Sequence, residues 1–313
     1  MALNPHQPLK KAFQSAADST GLGKNLTDLY PAVIRKNPLL LLATTRSTFA
    51  AVITSLGLNG IMVILDNHNS KAGWCCSTDD GNGWPDVGSG YIAQNSRNFN
   101  TQNWYEGLEA MARFGRLFPN VIGYALRNEL RAIDGQDNAD WYKFVPEAAA
   151  AVHRGDPNGL VVIGGINYAL DMSFLRTKNL DRKAIGIEKK TLWEFHTYSW
   201  SNGETANCPK YQPILDEAAG FLLESRKPWT GPLWLSEFGW AQNGPTSGEV
   251  AYYNCVADYV ATRDIGWAYW ALQGTYYVRE GQVAYDEGFG LLNKEWSDWR
   301  NASFPTIMAK AWK

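Results

Sequence analysis

The chain has 313 residues, of which 45% are hydrophobic and 19% charged, and its formal net charge is -2. These values are typical of a folded globular protein, and the length is enough for one large domain. Because there is no basic field, no polybasic run and no long apolar stretch, we expect no nucleic-acid partner and no membrane association.

The first 60 residues predict an irregular and partly helical lead-in. The start, MALNPHQPLKK, has no apolar core of a signal peptide. The run Leu39–Leu42 follows a proline and lacks β-branched residues, which favours a loop or a helix start. Residues 48–58 predict a helix that leads into the first strand.

Short apolar runs rich in β-branched or aromatic residues then recur along the chain and predict six strands. They are residues 61–65, 121–126, 161–165, 192–195, 233–236 and 267–270. Amphipathic helices are predicted between them, at 103–118, 140–153, 211–225 and 248–263. Alternation of buried strands and helices is typical of a parallel α/β sheet.

Six strands fit two architectures. They could form an open doubly wound sheet, or they could be strands three to eight of a (β/α)8 barrel whose first two are absent. A dinucleotide-binding sheet is disfavoured, because no GxGxxG motif follows a strand. No linker or composition break divides the chain, so we expect a single domain over residues 1–313, with 1–60 as lead-in and 61–300 as the barrel strands.

Four cysteines are present, and no CxxC pair supports a zinc or thioredoxin-like site. We expect one or two disulfides in an oxidising compartment. Adjacent Cys75 and Cys76 are expected to bond to distant partners more readily than to each other. Asp79 and Asp80, in a glycine-rich loop, are expected to stabilise turns.

Polar side chains follow the predicted strands, where parallel α/β folds bind ligands. They include His68, Asn128, Glu129, His196, Tyr198, Glu237 and Trp270. Two glutamates on separate strand ends suggest the paired carboxyl groups of glycoside hydrolysis, one protonated and one ionised. The 14 tryptophans are consistent with a neutral sugar ligand, because indole faces stack on the apolar faces of sugar rings.

Each side chain also has a simpler interpretation. A strand-end glutamate is often a surface or capping residue, and the histidines could be structural. Asp66, His68 and His196 could ligate a metal, but they fit hydrogen bonding to sugar equally well. Since a sugar ligand accounts for these side chains, we expect no metal and no cofactor.

Taken together, several segments resemble glycoside hydrolase family 5, the cellulase family. They are ILDNH at 64–68, VIGYALRNEL at 121–130, EFHTYSW at 194–200, LWLSEFG at 233–239 and WAYWALQG at 267–274. The resemblance is closest to plant, fungal and oomycete-type members, through WCCSTDDGNG at 74–83, LRNELR at 126–131, ALQGTYYVREG at 271–281 and GLLN at 290–293.

This resemblance implies a retaining (β/α)8 barrel with Glu129 as acid/base and Glu237 as nucleophile. It also implies substrate-binding roles for His68, Asn128, His196, Tyr198 and Trp270. Family members have two further strands before the position of residue 1, and the second ends in an arginine that supports the nucleophile. We therefore expect an N-terminally truncated chain, secreted in its full-length form.

The expected function is retaining hydrolysis of β-linked glucan, mannan or smaller β-glucosides through a covalent glycosyl-enzyme intermediate. We expect a monomer whose partner is its carbohydrate substrate. The alternative is an inactive fragment or a sugar-binding protein derived from such an enzyme. Trp74, Trp84, Trp200 and Trp240 are candidates for the walls of the sugar-binding site.

Overall fold

The computed structural model describes residues 6–71, 73–88, 90–201 and 203–311. Its first part is helical, with α1 (Leu9–Thr20), α2 (Lys24–Thr27), α3 (Leu29–Lys36), a 3-10 turn at Pro38–Leu40 and α4 (Thr45–Leu58). Helix α4 begins at a capping box, in which Thr44 and Ser47 satisfy each other's backbone N–H groups. The leucine run at 39–42 thus begins in the 3-10 turn at Pro38–Leu40 and continues as an ordinary turn, not as a strand.

Six parallel strands follow, all at the predicted places. They are β1 (Val63–Asp66), β2 (Val121–Ala125), β3 (Leu160–Gly164), β4 (Thr191–Thr197), β5 (Leu233–Phe238) and β6 (Gly266–Tyr269). The main helices are α5 (Ala93–Ser96), α6 (Thr101–Gly115), α7 (Asn138–Gly155), α8 (Arg182–Ile185), α9 (Cys208–Ala218), α10 (Ser247–Arg263) and α11 (Phe304–Met308). Further 3-10 turns lie at Ser173–Arg176, Gly220–Leu223 and Ala309–Ala311.

The strands pair in chain order, β1-β2-β3-β4-β5-β6, and every pairing is parallel. A doubly wound sheet would reverse its order at a switch point, whereas a barrel adds each strand beside the previous one. The order therefore selects the barrel, and within the described residues the sheet is an incomplete (β/α)8 barrel. Strands β1 and β6 form its two edges.

One predicted helix is shorter than expected. Residues 211–225 were predicted as a continuous helix, but α9 ends at Ala218 and a 3-10 turn follows. At Gly220 the chain passes close to helix α10, since a Cβ there would lie 2.4 Å from the Tyr259 hydroxyl. The continuous helix was wrong because this close approach turns the chain.

An antiparallel hairpin after β6 was not predicted. Its strands are β7 (Thr275–Arg279) and β8 (Gln282–Asp286), joined through Glu280 and Gly281. Val278 of this hairpin packs with Ala17 and Leu26 of the N-terminal helices in a small cluster separate from the main core. The main core fills the layer between the sheet and its covering helices.

Two disulfides are present, as expected in number but not in pairing. Cys208 at the start of α9 is bonded to Cys255 in α10, with their Cα atoms 5.3 Å apart. Cys75 and Cys76 are bonded to each other. The expectation of distant partners for Cys75 and Cys76 was wrong, because the other two cysteines lie on neighbouring helices and use each other. No helix in the described ranges has the length and apolar character needed to cross a membrane.

Candidate active site

The carboxyl ends of the strands bring the predicted site residues together. His196 lies in β4 directly beside Glu237 in β5, where the two are paired in register. Glu129 lies in the segment after β2, and Trp270 directly follows β6. The parallel order of the strands makes all of these side chains converge at one end of the sheet.

Glu129 and Glu237 face each other around His196. His196 Nδ1 lies 3.1 Å from Glu129 Oε1 and 4.0 Å from Glu237 Oε1. Nearest side-chain atoms of the three residues all lie within 4.8 Å of one another. The glutamate side chains are 13% and 14% exposed, so both carboxyl groups are largely enclosed yet reachable.

Burial and charge act against each other in this cluster. Burial raises the pKa of Glu237 and the Glu129 carboxylate raises it further, whereas His196, His68 and a hydrogen bond from Tyr198 lower it; the net pKa shift is upward. The Tyr198 hydroxyl donates that bond to Glu237 Oε1 at 2.9 Å. Burial lowers the pKa of His196, but the nearby carboxylates of Glu237 and Glu129 outweigh it and raise it to about 9. At neutral pH His196 is therefore a cation between two acids.

Glu237 has no guanidinium partner in the part of the chain that the structure describes. Its ion-pair contact there is with His196, and no arginine or lysine nitrogen lies within 4.0 Å of its carboxyl group. Within the described residues, the side chains that contact the Glu237 carboxyl group are the Tyr198 phenol and the His196 imidazole.

The remaining predicted residues form an adjoining wall. The imidazole of His68 stacks on Trp270, with ring centres 5.2 Å apart and planes at 14°. His68 Nδ1 lies 2.8 Å from Asp66, and Asn128 Nδ2 lies 3.5 Å from His68 Nε2. Trp270 donates its indole N–H to the Tyr276 hydroxyl at 2.9 Å, so the β7–β8 hairpin fixes the ring.

The backbone of Glu129 is held in an uncommon conformation. Its φ is 48°, in the left-handed region that costs a non-glycine residue about 1–3 kcal/mol. Arg131 Nη1 donates to the Glu129 carbonyl oxygen at 2.8 Å. The flanking N–H groups of Asn128 and Arg131 donate to the carbonyl oxygens of Asn67 and Gly83. These contacts on both sides hold the strained residue in place.

Sequence reasoning missed Arg131 and the importance of Asp80. The Arg131 guanidinium, 1% exposed, forms two hydrogen bonds with Asp80 at 2.6 and 2.7 Å and a third with the Ser77 carbonyl oxygen. Asp80 also accepts turn N–H bonds from Ser77 and Asn82, as expected for a turn residue. The two arginines that flank Glu129 in the segment LRNELR were the sequence feature that could have indicated the role of Arg131.

Two of the four tryptophans proposed as sugar-site walls are core residues. Trp84 is 1% exposed and donates its indole N–H to Asp140, and Trp240 is completely buried among aromatic rings. Both assignments were wrong, because the rings pack beneath the surface. Trp74 is 38% exposed, and Trp200 is 66% exposed and stacked on Tyr198 at 4.6 Å, so both keep a free surface for a ligand.

The metal alternative from the sequence does not match the observed grouping. Within the described ranges, the donors of Asp66, His68 and His196 do not form one cluster. The clusters with metal-like spacing are Glu129 with His196 and Glu237, and Glu129 with the disulfide-bonded cysteines. The first of these consists of the paired carboxyl groups already described.

Known proteins are similar to this chain in sequence and in fold. The family model for cellulase, glycosyl hydrolase family 5, matches residues 32–275. A glycosyl hydrolase 5 family protein from Chamaecyparis obtusa is 34% identical over 288 residues, which are 90% of this chain and 50% of that protein. The chain thus spans about half the length of this relative.

Solved structures share the fold. A hyperthermophilic endocellulase from the archaeon Pyrococcus horikoshii superposes with a TM-score of 0.68 and 15% identity, over 89% of this chain and 76% of that one. The catalytic domain of the major endoglucanase from Xanthomonas campestris pv. campestris gives a TM-score of 0.68 and 19% identity, over 89% and 78%.

Proposed function

Because the chain belongs to the cellulase family, glycosyl hydrolase family 5, we propose that it hydrolyses β-linked glucans with retention of anomeric configuration. The observation that carries the proposal is the approach of two carboxyl groups at the ends of separate strands, where one oxygen of each lies within 4.8 Å of the other. Carboxyl groups about 5 Å apart fit direct attack on the sugar, whereas inverting enzymes need a wider gap for a water molecule.

In the proposed first step, a Glu237 carboxylate oxygen attacks the anomeric carbon while the Glu129 carboxylic acid protonates the departing glycosidic oxygen. The glycosidic C–O bond breaks, and the sugar is held as an ester on Glu237. In the second step, Glu129 removes a proton from a water molecule, which attacks the same carbon and releases Glu237.

The neighbouring side chains support these roles. The Tyr198 hydroxyl and the His196 cation stabilise negative charge on Glu237. The Asn128 amide is proposed to donate to the sugar 2-hydroxyl. Trp270 and His68 form the wall proposed to carry the sugar at the cleavage point. Trp200 and Trp74 are proposed as stacking surfaces for neighbouring sugars.

The direct test follows the stereochemistry of the product. Wild-type protein is incubated with a β-1,4-glucan, a β-mannan and an aryl β-glucoside, and proton NMR records the anomer that forms first. We expect β-linked glucan to be cleaved with the β-anomer appearing first. An α-anomer formed first would contradict the double displacement, and preferential cleavage of mannan or of the small glucoside would reassign the substrate.

A second candidate is a sugar-binding protein without turnover. It is favoured by one observation, the raised pKa of the Glu237 carboxyl group, of which burial is the largest cause. Calorimetry with cello-oligosaccharides separates the two functions. Binding without any released reducing sugar would support this second candidate.

We also propose that the protein acts as a secreted monomer. The disulfide between Cys208 and Cys255 supports an oxidising compartment, because such bonds persist mainly in secreted proteins. Analytical ultracentrifugation and recovery of the protein from culture medium would test the two parts separately.

A further inference from the structure

The loop at residues 74–83, here called the cysteine loop, and the segment around Glu129 hold each other in place. Arg131 binds Asp80 and the Ser77 carbonyl oxygen of the loop. Arg127, which is buried, donates to the Asn82 carbonyl oxygen at 2.8 Å. The two arginines on either side of Glu129 thus fix the cysteine loop at two points.

The disulfide of the cysteine loop lies against Asn128 and Glu129, two residues with proposed roles in hydrolysis. Asn128 Nδ2 lies 3.4 Å from Cys76 Sγ and 3.7 Å from Cys75 Sγ. Both sulfur atoms and a Glu129 carboxylate oxygen lie within 4.8 Å of one another. Sulfur is a weak acceptor, so these contacts limit movement without competing strongly for the amide or the carboxyl group.

We propose that the Cys75–Cys76 disulfide is a positioning element for Glu129, a role that rests on the proposed function of Glu129 as acid/base. The disulfide lies against the carboxyl group, and His196 Nδ1 lies 3.1 Å from its Oε1. With the strained backbone fixed by Arg131, these contacts direct the acid toward the departing oxygen.

Stability gives a poor account of this disulfide. A cross-link restricts the unfolded chain according to the number of residues in the loop that it closes. The Cys208–Cys255 bond spans a sequence separation of 47, whereas Cys75 and Cys76 are adjacent and close almost no loop. The Cys208–Cys255 bond is therefore a control for the Cys75–Cys76 bond, because we expect its removal to lower stability without changing the site.

The experiment compares Cys75→Ala/Cys76→Ala with Cys208→Ala/Cys255→Ala on two substrates. Phenyl β-glucoside needs protonation of its leaving group, and 2,4-dinitrophenyl β-glucoside does not. For the first variant we expect kcat on the phenyl substrate to fall about 10- to 100-fold, with little change on the dinitrophenyl substrate or in Tm. For the control we expect a lower Tm and an unchanged ratio between the two substrates.

Equal losses on both substrates, or no loss on either, would overturn the proposal. Cys75→Ser/Cys76→Ser provides a second variant with nearly the same side-chain volume, and the same ratio is expected to change. Crystal structures of wild type and variant give a readout that does not depend on turnover. If Glu129 in the variant stays within about 0.5 Å of its wild-type position relative to His196, the positioning role is overturned, whether or not the protein cleaves glycosides. A wild-type protein that cleaves no glycoside would contradict the proposed function instead.

Discussion

The two glutamates at the centre of the site are held in different ways. Glu237 lies within β5, beside His196 of β4, and the regular sheet positions its backbone. Glu129 lies beyond the end of β2 with a φ of 48°, and the side chain of Arg131, itself bound by Asp80 of a distant loop, maintains its conformation. The first is fixed by secondary structure and the second by a polar clamp.

This difference suggests a division of tasks. A nucleophile must meet one carbon atom at a fixed distance, which a strand can ensure. An acid/base must serve first a departing oxygen and then a water molecule, so its orientation depends on the surroundings of its side chain. Changes near Glu237 should therefore affect every substrate alike, and changes near Glu129 should depend on the leaving group.

Glu237→Gln should have the largest effect, because a neutral amide cannot form the covalent intermediate. We expect kcat to fall at least about 10⁴-fold on both phenyl and dinitrophenyl β-glucosides, measured by stopped and continuous assays. Exposed Glu224→Gln is the control and should retain wild-type rates. Substantial activity in Glu237→Gln on either substrate would remove the nucleophile assignment.

Glu129→Gln should separate the substrates. Loss of the proton donor should lower kcat on phenyl β-glucoside about 10²- to 10⁴-fold, because general acid catalysis contributes that much to a poor leaving group. Dinitrophenyl β-glucoside should still form the glycosyl-enzyme rapidly, which a pre-steady-state burst would reveal. If both substrates were affected equally, the contrast between the two glutamates would not hold.

Tyr198→Phe should have an intermediate effect, and it should act only through the pKa of Glu237. The phenol lowers the pKa of Glu237, so its removal should raise that pKa and move the acid limb of the kcat/KM profile to higher pH. If the pKa of Glu237 rises by about one unit, which corresponds to about 1.4 kcal/mol, kcat/KM on the acid limb should be about tenfold lower. Tyr142→Phe on helix α7, where the hydroxyl bonds to the Phe174 carbonyl oxygen, should leave the profile unchanged. An unshifted acid limb in Tyr198→Phe would show that the phenol does not support the nucleophile.

Glu194→Gln should have the smallest effect, on stability. This carboxyl group lies in β4 two residues before His196, is 5% exposed, and burial raises its pKa to about 7. The folded state therefore holds a proton that the unfolded chain has released, and stability should fall as pH rises from the ordinary value near 4.5 through about 7. The variant should lose this pH dependence, and at pH 8 its free energy of unfolding should exceed that of the wild type by about 1–3 kcal/mol. Urea titrations at pH 4 and pH 8 measure this difference. Parallel pH curves for both proteins would contradict the pKa shift.

The sequence predicted the strands because their β-branched and aromatic runs are buried on both faces, as in residues 161–164 of β3. It also identified the strand-end residues that converge, although their roles stay predictions. The hairpin was missed because its turn uses Glu280 and Gly281, both with positive φ, where asparagine or aspartate is the usual first residue.

The clamp around Glu129 was harder to predict. Asp80 and Arg131 are far apart in sequence, and no local pattern indicates that a charged pair will be buried together. The pairing of Cys75 with Cys76 depended on where α9 and α10 placed the other two cysteines. Both features follow from tertiary structure, which periodicity and spacing do not specify.

The small cluster of Ala17, Leu26 and Val278 has a consequence for folding. It joins the first helices to a hairpin near the other end of the chain, and such distant contacts form only after most of the intervening chain is ordered. Helices α1 and α2 and the hairpin should therefore assemble last and open first. Hydrogen exchange would then show these segments losing protection together, while the amides of β2 to β5 remain protected until global unfolding.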